Sequence, residues 1–383
     1  MDKIRFKDTD DYISMLGFGC MRLPVDSAGE IDRAAGFDMV DHAIANGVNY
    51  FDTAYVYHGG KSELFMGEAL ERHPRDSFFL ASKMPVWLVN DEGDVTRYFE
   101  EQLTKCRVDH FDYYLVHALN SERFETAKRC RIYEILLEER RRGRLRHLGF
   151  SFHDTPGVLE DIAAAYDWEF AQIQLNYLDW EVQDAKRQHR ILLDASIPII
   201  VMEPVRGGTL ASLRERSAEI FKEANPDETP ASWAMRFAGS LPGIMTILSG
   251  MSSMPQLLDN IRTMSGFKPL DDGERATIAR ALEAYRLAAN IPCTNCRYCV
   301  SCPMDVDIPQ NIAIYNNYLS KRDDNEALAN MLFELEYTLV GGKHGAGLCA
   351  DCRECLQKCP QRIAIPDWME AIAGLDKKLK AAG

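Results

Sequence analysis

Short apolar runs rich in β-branched and aromatic residues alternate with longer amphipathic stretches from the N-terminus to about residue 267. The runs lie at 14–19, 48–52, 78–82, 111–116, 147–150, 170–175, 197–202 and 244–249. They are too short for helices and carry the side chains that favour strands. Between them, residues 34–46, 63–71, 95–106, 128–142, 158–165, 184–195, 230–238 and 255–265 place apolar side chains at helical spacing. Eight strand–helix pairs in roughly 250 residues predict an α/β chain closed into a (β/α)8 TIM barrel, rather than an open doubly wound sheet. No Gly-x-Gly-x-x-Gly turn follows the first run, so the phosphate-binding signature of a Rossmann domain is missing. One connection, 204–229, is long and carries Arg206-Gly207-Gly208 just beyond a strand end. Glycines there let the backbone turn sharply or approach a ligand. Residues 271–289 form one further helix, which Ile291-Pro292 ends. The barrel domain therefore spans 1–289, and a smaller α-rich domain spans 290–383.

Composition narrows the function. The 383 residues are 46% apolar and 27% charged, an ordinary balance for a globular protein with a full core. A net charge of −14 argues against a nucleic-acid partner, because phosphate recognition needs a basic face. No apolar run reaches the ~18 residues of a membrane span, and the opening MDKIRFKDTDDYISMLGFG lacks the form of a signal peptide. A cytoplasmic protein without a membrane partner is expected. Of the eleven cysteines, Cys20, Cys106 and Cys130 stand alone and read as small buried apolar side chains, whereas eight crowd into two runs after residue 290.

Three ionisable residues end three consecutive predicted strands: Asp52 in Asn49-Tyr50-Phe51-Asp52, Lys83 in Leu80-Ala81-Ser82-Lys83, and His117 in Tyr114-Leu115-Val116-His117. The C-terminal ends of barrel strands share one mouth, and Tyr57 on the loop after Asp52 can fold over it. Reduction of a carbonyl needs hydride at carbon and a proton at oxygen. A phenol, with a reference pKa of ~10, serves as that acid when a cation stabilises its phenolate. Lys83 supplies such a cation, Asp52 can hold it, and His117 can orient the oxygen.

These residues, with Thr53-Ala54-Tyr55-Val56, Lys61-Ser62-Glu63, Gly67, Ala69-Leu70, Gly149-Phe150-Ser151 and Gly250-Met251-Ser252, resemble the aldo-keto reductase family over residues 3–267. The resemblance implies Tyr57 as general acid/base, with Asp52, Lys83 and His117 as its partners, and NADPH as hydride donor across the barrel top. It implies nicotinamide contacts at Ser151 and Gln172, with Phe152 standing where the family usually has asparagine. Met202-Glu203-Pro204 occupies the place of a stacking aromatic, so Met202 and Pro204 join Gly207 and Gly208 as candidate cofactor contacts. Ser252, Gln256, Asp259 and Asn260 are the candidates for the adenosine 2′-phosphate and adenine, at a helix start suited to anions. Trp87, His58, Asn120 and Trp180 are expected near a small-molecule carbonyl substrate.

The tail carries Cys293-x2-Cys296-x2-Cys299-x2-Cys302-Pro303 and Cys349-x2-Cys352-x2-Cys355-x3-Cys359-Pro360. The second run has the bacterial-ferredoxin spacing, in which three thiolates wrap one cluster and the fourth crosses to the other. Crossing assigns Cys293, Cys296, Cys299 and Cys359 to one cluster and Cys349, Cys352, Cys355 and Cys302 to the other. The first run is one residue short of that spacing before its last cysteine. Zinc held by two four-thiolate sets is the competing reading, although zinc ribbons set their Cys-x-x-Cys pairs well apart. The tail resembles dicluster ferredoxins over 290–370, implying two [4Fe–4S] clusters, and the whole chain resembles a bacterial iron–sulfur subgroup of aldo-keto reductases. NADPH-linked interconversion of an aldehyde, ketone or quinone with its alcohol is the leading function. Two alternatives stand beside it: an electron-transfer protein serving a ferredoxin or flavoprotein partner, and a cofactor-sensing scaffold.

Overall fold

In the computed structural model the chain opens on a short antiparallel hairpin, β1 (Lys3–Arg5) and β2 (Tyr12–Ser14). Eight parallel strands then close a barrel: β3 (Leu16–Gly19), β4 (Tyr50–Asp52), β5 (Phe79–Met84), β6 (Phe111–Leu119), β7 (Leu145–Phe152), β8 (Ala171–Gln174), β9 (Ile199–Met202) and β10 (Ile244–Ser249), with β10 pairing β3. Each predicted run overlaps one of these strands, and β5, β6 and β7 run beyond the predicted bounds. The structure describes residues 1–213, 215–286, 291–322 and 325–382.

The helices of the first part are α1 (Arg33–Ala45), α2 (Ser62–Leu70), α3 (Glu92–Cys106), α4 (Ser121–Arg129), α5 (Ile132–Arg141), α6 (Pro156–Ala165), α7 (Asp179–Val182), α8 (Ala185–Asp194), α9 (Glu215–Ala224), α10 (Pro230–Gly239), α11 (Met254–Met264) and α12 (Asp272–Arg286). Their starts follow local chemistry. Asp32, Asp91, Asn120 and Thr229 each accept a backbone N–H of the first turn, and α6, α10 and α11 carry proline at their first or second position. The stretch read as one helix over 128–142 is two, because Arg131 adopts φ 51° between α4 and α5. The long connection at 204–229 contains a 3-10 turn at Arg206–Gly208 and α9.

Strands buried on both faces need continuous apolar runs, and all nine positions of β6 are buried. Their outer faces pack on the helices through one large core that includes Phe18, Phe51, Leu80, Val116, Phe150 and Ile247. The inside is filled by a second set: Tyr50, Ala81, Tyr113, Leu115, Phe170, Ile200, Met245 and Leu248, joined by Phe6 and Ile13 from the hairpin region. Phe6 lies edge-on to Tyr113 and to His147, near the N-terminal ends of β6 and β7. The barrel is thus plugged at its N-terminal end, and open chemistry belongs at the other.

The chain divides into two units, Met1–Arg206 with Phe221–Ile278, and Gly207–Ile220 with Ala279–Gly383. The boundary expected at residue 289 lies outside the described residues. The second unit adds α13 (Ile308–Arg322), α14 (Glu326–His344), α15 (Glu354–Lys358) and α16 (Ile365–Ala382). It has its own core, built on Ile291, Val306, Ile312, Phe333, Tyr337, Met369 and Ile372.

Candidate active site

Register alone brings the strand-end residues together: Asp52 sits opposite Ala81 on β5, and Lys83 opposite Leu115 on β6. Lys83 Nζ donates to Asp52 Oδ1 at 2.5 Å and to the Thr53 carbonyl at 2.7 Å, with both side chains buried. Burial pushes the Asp52 carboxyl up, and the Lys83 ammonium pulls it part of the way back. Breaking such a buried pair from one side strands a charge, so the two residues stand or fall together. The Lys83 ammonium lies 5.0 Å from the centre of the Tyr57 ring. Tyr57 begins a turn in which His58, Gly59 and Gly60 all take positive φ, and His58 Nε2 accepts the Leu23 N–H at 3.2 Å. The Tyr57 ring stands edge-on to His117 at 6.1 Å.

His117 is buried, and burial first, then the nearby charges of Lys83, Arg123 and His153, hold its imidazole well below the usual histidine range. It therefore stays neutral and keeps one N–H to donate. A histidine that binds protons less readily folded than unfolded stabilises the fold above the unfolded value of ~6.5, and that stability is lost as pH falls below it. Thermal melts should accordingly show a shallower loss of stability below about pH 6.5 in His117→Gln, by up to ~1.4 kcal/mol per pH unit. An unchanged pH slope would count against a neutral buried imidazole.

Two further residues support the site and were not singled out from sequence. Gln102 on α3 donates to the Lys83 carbonyl at 3.0 Å, to Ser82 at 2.9 Å and to Glu63 at 2.5 Å, and accepts from the Tyr114 hydroxyl. Arg123 on α4 donates to the Ala118 carbonyl at 2.9 Å. Ala118 itself takes φ 53° at the irregularity in the β6–β7 ladder, where its N–H donates to Ser151 Oγ at 2.7 Å.

Ser151 and Gln172 are register partners on β7 and β8. Gln172 Nε2 lies 3.5 Å from Met202 Sδ, while its Oε1 is buried with no hydrogen-bond partner. A buried unmatched acceptor beside a hydroxyl suits a carboxamide, which brings its own N–H donors. At the start of α11, Ser252 and Gln256 are exposed; Ser252 Oγ donates to the Arg22 carbonyl and its N–H to Gln256 Oε1. Asp259 and Asn260 instead turn to the protein, Asp259 to Thr229 and Arg262, Asn260 to Ser249. Pro204 is buried. Gly208 takes φ 95°, and Gly207 takes φ 64° so close to the Thr294 carbonyl that a Cβ would lie 2.1 Å from its oxygen. Both glycines belong to the second unit.

Of the residues expected near a substrate, Trp87 packs 5.0 Å from the His117 ring. His58 anchors the Tyr57 turn, and Asn120 caps α4. Trp180 packs on His189 and Phe237, each at 5.6 Å.

The eight clustered cysteines form two groups. Cys293, Cys296, Cys299 and Cys359 line one cavity with Ile308, Ile312, Ile363 and Ile365. Cys302, Cys349, Cys352 and Cys355 line the other with Val306, Ile308, Ile365 and Met369. These are the two sets that crossed spacing gives. After burial, the groups that push the Cys299 thiol up are Cys296, Cys293 and Cys359, and Cys355, pushed up to about 11, feels Cys349, Cys352 and Cys302. Four thiols in an apolar pocket resist ionising together unless a cationic centre compensates them, which is the donor chemistry a cubane cluster needs. The three lone cysteines are buried in the barrel core.

The profile of the aldo/keto reductase family matches residues 15–283, and that of the 4Fe-4S dicluster domain matches 292–364. The uncharacterized oxidoreductase YqkF of Bacillus subtilis is 23% identical over 288 residues, 68% of this chain and 90% of that one. The NADH-specific methylglyoxal reductase of Escherichia coli is 25% identical over 232 residues, 55% of this chain and 69% of that one. An aldo-keto reductase from Klebsiella pneumoniae, solved in complex with NADPH, shares the fold with a TM-score of 0.61 at 20% identity, covering 74% of this chain and 95% of that one. The chain belongs to the aldo/keto reductase family and carries a 4Fe-4S dicluster domain after its barrel.

Proposed function

We propose that the chain reduces small carbonyl compounds with NADPH, Tyr57 giving the proton. The observation that carries this is the buried Asp52–Lys83 pair set 5.0 Å from the Tyr57 ring, at the end of the barrel that the hairpin leaves open. A phenol becomes a usable acid where a fixed ammonium stabilises its conjugate base. Asp52 and the Thr53 carbonyl hold that ammonium, leaving it little freedom to move off the phenol. Neutral His117 donates to the carbonyl oxygen and sets its angle to Tyr57. A bound nicotinamide supplies hydride to the carbonyl carbon. Ser151 and the unmatched Gln172 oxygen fit its carboxamide, Met202 lies beside them, and Ser252 and Gln256 face the adenosine end, with Asp259 and Asn260 holding the helix beneath. NADPH oxidation driven by aldehydes or ketones, and lost in Tyr57→Phe, is the test. Turnover that survives the substitution would overturn the assignment.

Ser252 bears on the choice of nucleotide. A hydrogen bond to a charged group contributes about 1.5–3 kcal/mol, so Ser252→Ala should narrow the preference for NADPH over NADH by about tenfold or more. Titration of nucleotide fluorescence in both proteins decides it. Equal affinities for the two nucleotides, unchanged in the variant, would remove NADPH as the preferred donor.

A further inference from the structure

A further cation stands beside the catalytic set at the barrel mouth. Arg123 is the third residue of α4, whose first turn is fixed by Asn120 Oδ1 on the Arg123 N–H and by Asp154 Oδ2 on the Ser121 N–H. From there its side chain reaches back to β6, where it donates to the carbonyl of Ala118, the residue next to His117. The guanidinium carbon lies 4.9 Å from the centre of the Trp87 ring, and that ring lies 5.0 Å from His117. Trp87 is 38% exposed and lies beside both the guanidinium and the imidazole.

The surrounding charge points the same way. Lys83 and Arg123 are the two cations whose charge acts on His117. Asp52, the acid of the set, is bound to Lys83. Two cations thus stand beside the imidazole in a chain of net charge −14. Guanidinium on an aromatic face keeps a fixed plane and matches a carboxylate with its fork of N–H donors.

We propose that Arg123 makes the site selective for carbonyl compounds that also carry a carboxylate. The acid group would lie against the guanidinium beside Trp87, while the carbonyl oxygen reaches Tyr57 and His117. This substrate class rests on the reductase reading above, and the two can fail separately.

The test compares 4-formylbenzoate with 4-formylbenzamide, which have the same shape and differ by one charge. The parent protein should prefer the acid in kcat/KM by about ten- to a hundredfold, the range expected for hydrogen bonds to a charged group. In Arg123→Gln the acid-to-amide ratio should fall to near one, and Arg123→Lys should restore part of it. A ratio unchanged in Arg123→Gln, or a parent preference for the amide, overturns the assignment. A readout free of turnover uses the product, 4-(hydroxymethyl)benzoate, and its quenching of tryptophan fluorescence in parent, Arg123→Gln and Trp87→Phe. Product bound through Arg123 in a protein that reduces neither aldehyde would sink the reductase reading and keep the carboxylate site. Equal turnover of both aldehydes with no product binding would do the reverse.

Discussion

Tyr57→Phe is expected to lower carbonyl reduction by about 100- to 10,000-fold, the usual worth of a positioned acid. Nucleotide affinity should stay close to the parent's, since no expected nucleotide contact is lost. The ring remains, so its edge-on packing on His117 is retained and the fold has little reason to change. What disappears is the hydroxyl whose conjugate base Lys83 is placed to stabilise. Loss of the same order in kcat and kcat/KM would mark an interaction made only in the transition state. A raised KM with unchanged kcat would instead make Tyr57 a binding residue. The substitution is cleaner than one at Lys83 or Asp52, where removing either partner leaves the other buried and charged.

The barrel was legible because strands buried on both faces leave continuous apolar runs, as β6 does over nine residues. The hairpin that plugs it was not, since β1 and β2 have three residues each and Tyr12 is exposed. Position within a strand also made Asp52, Lys83 and His117 legible, because the barrel fixes which ends converge. Side chains on the connecting segments followed no such rule. Trp180 looked like a ligand contact, but α7 turns it onto Phe237. Nothing in Ser121-Glu122-Arg123 singles out Arg123, although Asn120 as a cap was a usable signal that a helix starts against the mouth. Gly207 announced a close approach without saying to what, and the neighbour is the Thr294 carbonyl in the first cysteine run. Local sequence fixes where a Cβ cannot fit. Only the folded chain supplies the neighbour.

Protein made without oxygen should carry about eight irons and eight acid-labile sulfides per chain, two cubanes of four. Cys296→Ala should remove one cluster and halve that content, and adding Cys352→Ala should bring it close to zero. The two cysteines line different cavities, so the losses should be separable by visible absorbance. Stoichiometric zinc without iron–sulfur absorbance in the parent would overturn the cluster assignment. Carbonyl reduction should survive both substitutions. A nicotinamide passes two electrons together as hydride, whereas a [4Fe–4S] cluster passes one at a time. Asp52, Tyr57, Lys83 and His117 all lie in the first unit, and every cluster cysteine lies in the second. The second unit's core packs directly on Cys293, Cys302, Cys349, Cys355 and Cys359, so losing the clusters should loosen that unit. Circular dichroism and NADPH titration therefore accompany the assay, to establish that the barrel is intact. Retained aldehyde reduction in the double variant makes the tail a structural element or a docking module. Loss of all turnover in a folded variant that still binds NADPH would mean that electrons pass through the clusters. A ferredoxin or flavoprotein would then be the natural partner, because only a one-electron carrier matches what a cubane delivers.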